Sequence, residues 1–109
     1  MTRIRYEDAK LWQEMELSGH AGDRIVCAGI SAVSQTLLAN LLREKKENQI
    51  WLQWQMDEPG EIWMRAWTTK ENRESIRAMF GFVMTGFKQM AEDYPGNMEM
   101  KEERKNGGI

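Results

Sequence analysis

With 109 residues, the chain is sized for one domain with a single two-layer core. Its 15 basic and 17 acidic residues leave a net charge of -2, so bulk charge gives no argument for a nucleic-acid or anionic membrane partner. A single cysteine excludes an intramolecular disulfide, and no apolar run approaches the roughly 20 residues of a membrane span. Residues 1–8 alternate in charge without a signal-peptide core, so the expectation is a cytoplasmic chain whose thiol stays reduced.

Alternation at period two predicts a strand over Thr2–Tyr6, a turn at Glu7-Asp8, and a second strand over Lys10–Leu17 with Leu11, Met15 and Leu17 on one face. Ser18-Gly19 ends that strand and leaves His20 at its exit. From Cys27 the period changes. Ile30, Val33, Leu37, Leu38 and Leu41 recur at three and four, which predicts an amphipathic helix with Ser34, Gln35 and Asn40 on or near its wetter side, ending in the charged run Arg43–Glu47, with Asn48 as its stop. Asp23 is a candidate N-cap or pre-cap acceptor. Gln49–Gln55 and Glu61–Thr68 read as a strand pair around the turn Asp57-Glu58-Pro59-Gly60. Tryptophans at 51, 54, 63 and 67 leave large side chains on both faces of that pair, one for helices and one for a second subunit.

Thr69 or Asn72 caps a second helix running to about Asp93, with an apolar stripe of Ile76, Met79, Phe80, Val83, Phe87, Met90 and Tyr94. Gly81 and Gly86 each weaken it by roughly 1 kcal/mol, and close approach of a neighbouring element is the expected compensation. Pro95-Gly96 stops the helix, and Asn97–Lys101 alternates as a short last strand. The expected fold is α+β, a two-layer ββαββα sandwich with both helices on one face of a mainly antiparallel sheet. The domain spans residues 1–101, with a flexible tail over 102–109.

The only histidine, His20, and the only cysteine, Cys27, stand seven positions apart across a glycine-bearing loop. A cysteine nucleophile needs a base within hydrogen-bond reach and donors for the oxyanion. Cys27 at a helix N-terminus, Arg24 before it, His20 across the loop and the amides of Cys27, Ala28 and Gly29 are the candidates for that apparatus. Ser31, one helical turn after Cys27, either orients the thiol or imidazole or bonds back to the preceding turn. A lone cysteine is also an ordinary small buried side chain. One His and one Cys lack the ligand spacing of a zinc site, and no phosphate-loop or cofactor motif accompanies them, so neither a metal nor a cofactor is expected.

Ser18-Gly19-His20-Ala21, then Ile25-Val26-Cys27-Ala28-Gly29-Ile30-Ser31-Ala32 and Gln35-Thr36, resemble the signature of the ribosomal-processing cysteine protease family. Glu92-Asp93-Tyr94-Pro95 resembles the family's ending. The resemblance implies a cysteine endopeptidase that removes a short N-terminal extension from a large-subunit ribosomal protein, or, in phage-borne relatives, processes capsid or scaffold proteins. It implies His20 and Cys27 as the catalytic pair, Gly19 as a source of mobility at the histidine, Ser31 near the active site, and Ala21-Gly22-Asp23-Arg24 as a mobile loop over the peptide. It also implies a homodimer. Two departures stand out: the His–Cys loop holds only six residues, several fewer than is usual, and Arg24 occupies a place typically acidic. A non-catalytic binding or assembly protein on the same fold is the alternative.

Overall fold

A computed structural model describes residues 1–48, 50–58 and 60–105. The order is β1 (Thr2–Ala9), β2 (Trp12–Ser18), α1 (Arg24–Asn48), β3 (Trp51–Glu58), β4 (Glu61–Trp67), α2 (Arg73–Asp93) and β5 (Met98–Lys105). The strands form one sheet in the order β3-β4-β2-β1-β5, in which β5 alone pairs in parallel, against β1. The expected ββαββα layout with a last strand is present.

Both helices lie on one face of the sheet. Ile4, Tyr6, Met15, Leu17, Met64 and Ala66 point up from the strands and meet Val26, Ile30, Leu37 and Leu41 of α1 and Ile76, Phe80 and Phe87 of α2. Phe80 stacks on Tyr6 with ring centroids 6.0 Å apart. α1 does reach the length and hydropathy of a membrane span, contrary to the reading of its sequence; 33% of that stretch is buried in the molecule, and Val26, Ile30, Leu37, Leu38 and Leu41 are its buried apolar residues.

Five expectations shift. Glu7-Asp8 is no turn: β1 continues through both, and the reversal falls at Lys10-Leu11. Their carboxylates tolerate burial because each is paired. Glu7 accepts the Trp12 Nε1–H at 2.5 Å, and Asp8 accepts from Gln13 at 2.6 Å and from Arg77 at 3.1 Å. Gln13, rather than Leu11, then joins Met15 and Leu17 inside. Its amide is satisfied by Asp8 and by the Tyr6 hydroxyl.

On α1, Ser34 takes a core position and Val33 lies beside it, only partly buried; the Ser34 hydroxyl donates to the Ile30 carbonyl at 2.8 Å, which makes its burial inexpensive. Among the described residues nothing lies within 4 Å of a β-carbon built at Gly81 or Gly86, so neither glycine serves a close approach within the chain. Residues 102–105 belong to β5 rather than to a tail, and 106–109 lie outside the described residues.

Candidate active site

Gly19 turns the chain out of β2 with a φ of 89°. A β-carbon there would lie 2.4 Å from the Met1 carbonyl oxygen, so its glycine is a requirement of close backbone approach. His20 follows, exposed. Ala21 tucks into the core at 3% exposure, Gly22 adopts a φ of 78°, and Asp23 closes the loop.

Asp23 is the N-cap of α1. Its Oδ1 accepts the amides of Ile25 at 2.9 Å and Val26 at 3.1 Å, and its carbonyl accepts the Cys27 amide at 2.9 Å. The helix therefore starts at Arg24, three residues before Cys27. Arg24 is its exposed first residue, and the free loop shrinks to Ala21-Gly22-Asp23. The Cys27 amide is taken by Asp23, and those of Ala28 and Gly29 fall within the helical ladder, so this trio is not free to hold an oxyanion. Gly29 faces α2 instead: a β-carbon there would come within 3.0 Å of the Met90 methyl.

His20 and Cys27 line one recess of about 190 Å³, together with Thr2, Gly19, Ser31 and Gly60 over an apolar floor of Leu17, Ile30 and Ile62. Cys27 is half-buried there, and Ser31 sits one turn further on, exposed. Ala28 and Gly29 lie outside this lining. Larger depressions exist on the outer sheet face beside Trp63 and in an apolar groove between α1 and α2, but neither contains His20 or Cys27. Among the described residues, no group of three or more His, Cys, Asp or Glu side chains is placed to hold a metal ion.

Three residues that sequence reasoning did not single out hold this loop. Thr2 is buried and donates from Oγ1 to the Gly19 carbonyl at 3.2 Å. Asn97 donates from Nδ2 to the Ala21 carbonyl at 2.7 Å, while its own carbonyl accepts the Thr2 amide at 2.9 Å. His20 is thus flanked by two anchored carbonyls. The turn Tyr94–Asn97 is itself closed by the Asn97 amide on the Tyr94 carbonyl at 2.9 Å. Gly60, at the β3–β4 turn with a φ of 84°, packs on the imidazole: a β-carbon there would lie 2.8 Å from His20 Cε1 and 3.0 Å from Nδ1. Only its Pro-Gly turn signal was visible beforehand.

Solved structures share this arrangement of elements. The protein SMU.848 of Streptococcus mutans is 24% identical, with a TM-score of 0.73 over 96% of each chain. The essential ribosomal processing protease Prp of S. aureus, in complex with a covalently linked product peptide, is 19% identical with a TM-score of 0.76, over 94% of this chain and all of that one. The same protease with a substrate peptide gives 15% identity and a TM-score of 0.70. At these identities the likeness is one of fold. No curated protein matches. The cysteine protease Prp family, however, matches residues 1–99, which take in β1, the His20–Cys27 loop, both helices and the Asn97 anchor. The chain therefore belongs to the Prp family of cysteine proteases.

Proposed function

We propose that this protein is a processing endopeptidase that removes a short N-terminal segment from a ribosomal protein, with Cys27 as nucleophile and His20 as base. One observation carries the assignment of roles: the only imidazole and the only thiol of the chain line the same small recess. In the first step the Cys27 thiol passes its proton to His20, and Sγ adds to the scissile carbonyl carbon. The C–N bond then breaks as His20-bound proton moves to the leaving amine, which leaves a thioester on Cys27. Water, deprotonated by His20, cleaves the thioester and restores the thiol. Cys27 lies within the first turns of α1, so the positive end of that helix favours the negative charge that develops beside it.

The ribosomal substrate class is supported by the family and by the ribosomal processing role of the S. aureus protein of like fold. A phage structural protein is the second substrate class to be tried. A cytoplasmic setting fits a nucleophile that has to stay reduced.

A homodimer is part of this reading. The groove between α1 and α2 is lined by the small side chains of Ala32, Ala78 and Gly86, and Phe82 stands beside it 84% exposed. A knob beside its own hole is self-complementary about a two-fold axis. Light scattering with Phe82→Asp tests it: loss of a dimer present in the wild type supports the reading, and a wild-type monomer overturns it.

The decisive experiment incubates the protein with precursor forms of ribosomal proteins and reads new N-termini by mass spectrometry. Cleavage that vanishes in Cys27→Ala and in His20→Ala is the expected result. No cleavage of any ribosomal precursor, with phage capsid or scaffold proteins cut instead, overturns the substrate. The short free loop, only Ala21–Asp23, favours a second reading of peptide binding without turnover. Peptide capture by the wild type with no cleavage would select it.

A further inference from the structure

An open sheet leaves two edges, each a row of main-chain N–H and C=O groups able to pair with another strand. Here the edges are β3 and β5, and the sequence treats them differently. β5 is defended by charge: of its eight residues only Met98 and Met100 are uncharged. β3 carries neither charge nor proline from Trp51 to Met56. It also presents an aromatic ring on each face. Trp51 lies opposite Trp67 on the helix-free face and is 66% exposed, and Trp54 lies opposite the buried Met64 on the helix face and is 44% exposed. An uncharged edge flanked by exposed tryptophans is the form that accepts an added strand.

This edge leads to the active recess. β3 pairs with β4 from Trp51↔Trp67 to Gln55↔Trp63, then shifts register before Glu58↔Glu61. The β4 residue inside that shift is Ile62, part of the apolar floor beneath His20 and Cys27. A strand added beyond β3 would lie two strand spacings, about 10 Å, from β4, a distance that about three extended residues span. α2 does not obstruct that path. Cys27 and Ser31 line the recess together with Gly60 and Ile62, whereas Gly29 and Ala32 of the same helix face α2.

We propose that the substrate polypeptide binds as an added strand along β3, paired over Trp51–Gln55, and turns into the recess where β3 leaves its register with β4. The proposal rests on the endopeptidase reading above and specifies how its substrate is held. The docked segment is extended, uncharged and apolar, and lies about three residues from the cleaved bond. Main-chain hydrogen bonds to β3 supply affinity, and Trp51 and Trp54 cover side chains on the two faces. A second copy of the chain would need the same edge, but the register break beside Ile62 gives a through-running peptide, not a two-fold partner, its way to Cys27. Because the docked segment is remote from the reacting atoms, it contributes to KM more than to kcat.

The test is titration of the full chain with a capped peptide of alternating threonine and valine, lysine at each end, following backbone amide signals by NMR. Saturable shifts over Trp51–Gln55 with none over Lys101–Lys105 are expected, and the same peptide with its central valines replaced by proline, which cannot pair, gives none. Trp54→Lys sets a charge on the edge and weakens binding at least about tenfold. In the cleavage assay the peptide raises the KM for the ribosomal precursor at unchanged kcat, as Trp54→Lys does. An unchanged Cys27 alkylation rate shows that this variant is folded, and the proline control needs no variant. Shifts in β5 as large as those in β3, no saturation up to about 5 mM, or a precursor KM indifferent to saturating peptide overturns the proposal. So do β3 amides already protected from exchange in the free protein, which would place a second copy on the edge. If no ribosomal precursor is cut, the endopeptidase reading falls, and the titration still decides whether β3 takes a strand.

Discussion

The Asn97 side chain donates to the Ala21 carbonyl at 2.7 Å across 76 positions of sequence. Ala21 is the residue directly after His20, so this bond and the one from Thr2 to Gly19 fix the peptide units on both sides of the imidazole. A displacement of about 1 Å in a catalytic group is enough to cost up to a hundredfold in rate. Asn97→Ala is therefore expected to lower kcat on a cleavable peptide by roughly tenfold to a hundredfold, with KM little changed. Asn97→Asp keeps the shape but presents an acceptor to the carbonyl, and should be as slow as the alanine variant. Equal kcat in Asn97→Asp and wild type would show that the contact holds nothing in place. Loss of the bond costs only about 1 kcal/mol of stability, which thermal unfolding separates from the kinetic effect.

Gly60 and Gly22 form a matched pair for the imidazole itself. Both have positive φ, 84° and 78°, so alanine at either strains the backbone by about 1–2 kcal/mol. Only at Gly60 does the new β-carbon meet His20, at 2.8 Å; at Gly22 it meets nothing within 4 Å. His20 is the only histidine, so its Cε1–H gives one NMR signal. That signal is expected to move in Gly60→Ala and stay in Gly22→Ala, and Gly60→Ala should lose the more melting temperature, because its β-carbon also crowds the Gly19 carbonyl at 3.0 Å. Alkylation of Cys27 by iodoacetamide should slow in Gly60→Ala, as in His20→Ala. An unmoved His20 signal in Gly60→Ala would show that the turn does not bear on the imidazole.

These contacts mark the boundary of what the sequence makes legible. Periodicity exposes both helices, because Ile30-Leu37-Leu41 and Ile76-Phe80-Phe87 repeat locally. The uniqueness of His20 and Cys27 exposes the pair without any geometry. Thr2, Asn97 and Gly60 were not visible, because each reaches the loop from a distant segment and carries no chemistry of its own. The same cause hid the true end of β1. Glu7 and Asp8 look like turn residues until Lys105, Arg104 and Arg77, from β5 and α2, supply their charges. The family resemblance pointed to His20 and Cys27, but not to the α1 start at Arg24, which the Asp23 cap sets.

A carboxylate on the helix-free face of the sheet gives the chain an acid limit. Glu14 is 5% exposed, between Arg5 at 2.6 Å and Arg65 at 2.7 Å. The Arg65 guanidinium lies in turn over Trp12, 4.7 Å from its ring centre. Burial pushes the Glu14 carboxyl up, but hydrogen bonds from Arg5, Arg65 and Trp63 outweigh it and hold the group below its ordinary 4.5. A carboxyl depressed on folding adds stability that is full above its unfolded value and is lost as pH falls through the folded one. The melting temperature should therefore begin to drop near pH 4.5 and continue downward below it. Glu14→Gln removes the shared partner of both arginines and should cost about 3 kcal/mol at neutral pH, the low end for breaking a buried pair because both guanidiniums are partly wet. The acid-induced fall should be shallower in that variant; an equally steep one would place the titrating group elsewhere.

Gly81 offers the opposite outcome, a gain. It lies in the middle of α2, and a β-carbon there meets nothing within 4 Å. Its φ is not positive, so alanine fits the backbone without strain. The substitution removes unfolded-state freedom and adds helix propensity, together worth about 0.5–1 kcal/mol. Gly81→Ala should raise the denaturant midpoint by that amount at unchanged slope, and leave the Cys27 alkylation rate as it is. A destabilised Gly81→Ala would mean that some contact needs the missing side chain, as expected from the sequence but absent from the described residues. Because Gly86 lines the groove beside Phe82, Gly86→Ala separates the two roles. A gain in monomer stability together with weaker self-association would tie Gly86 to the dimer, whereas a gain alone would leave both glycines as unfilled positions of an otherwise well-packed helix.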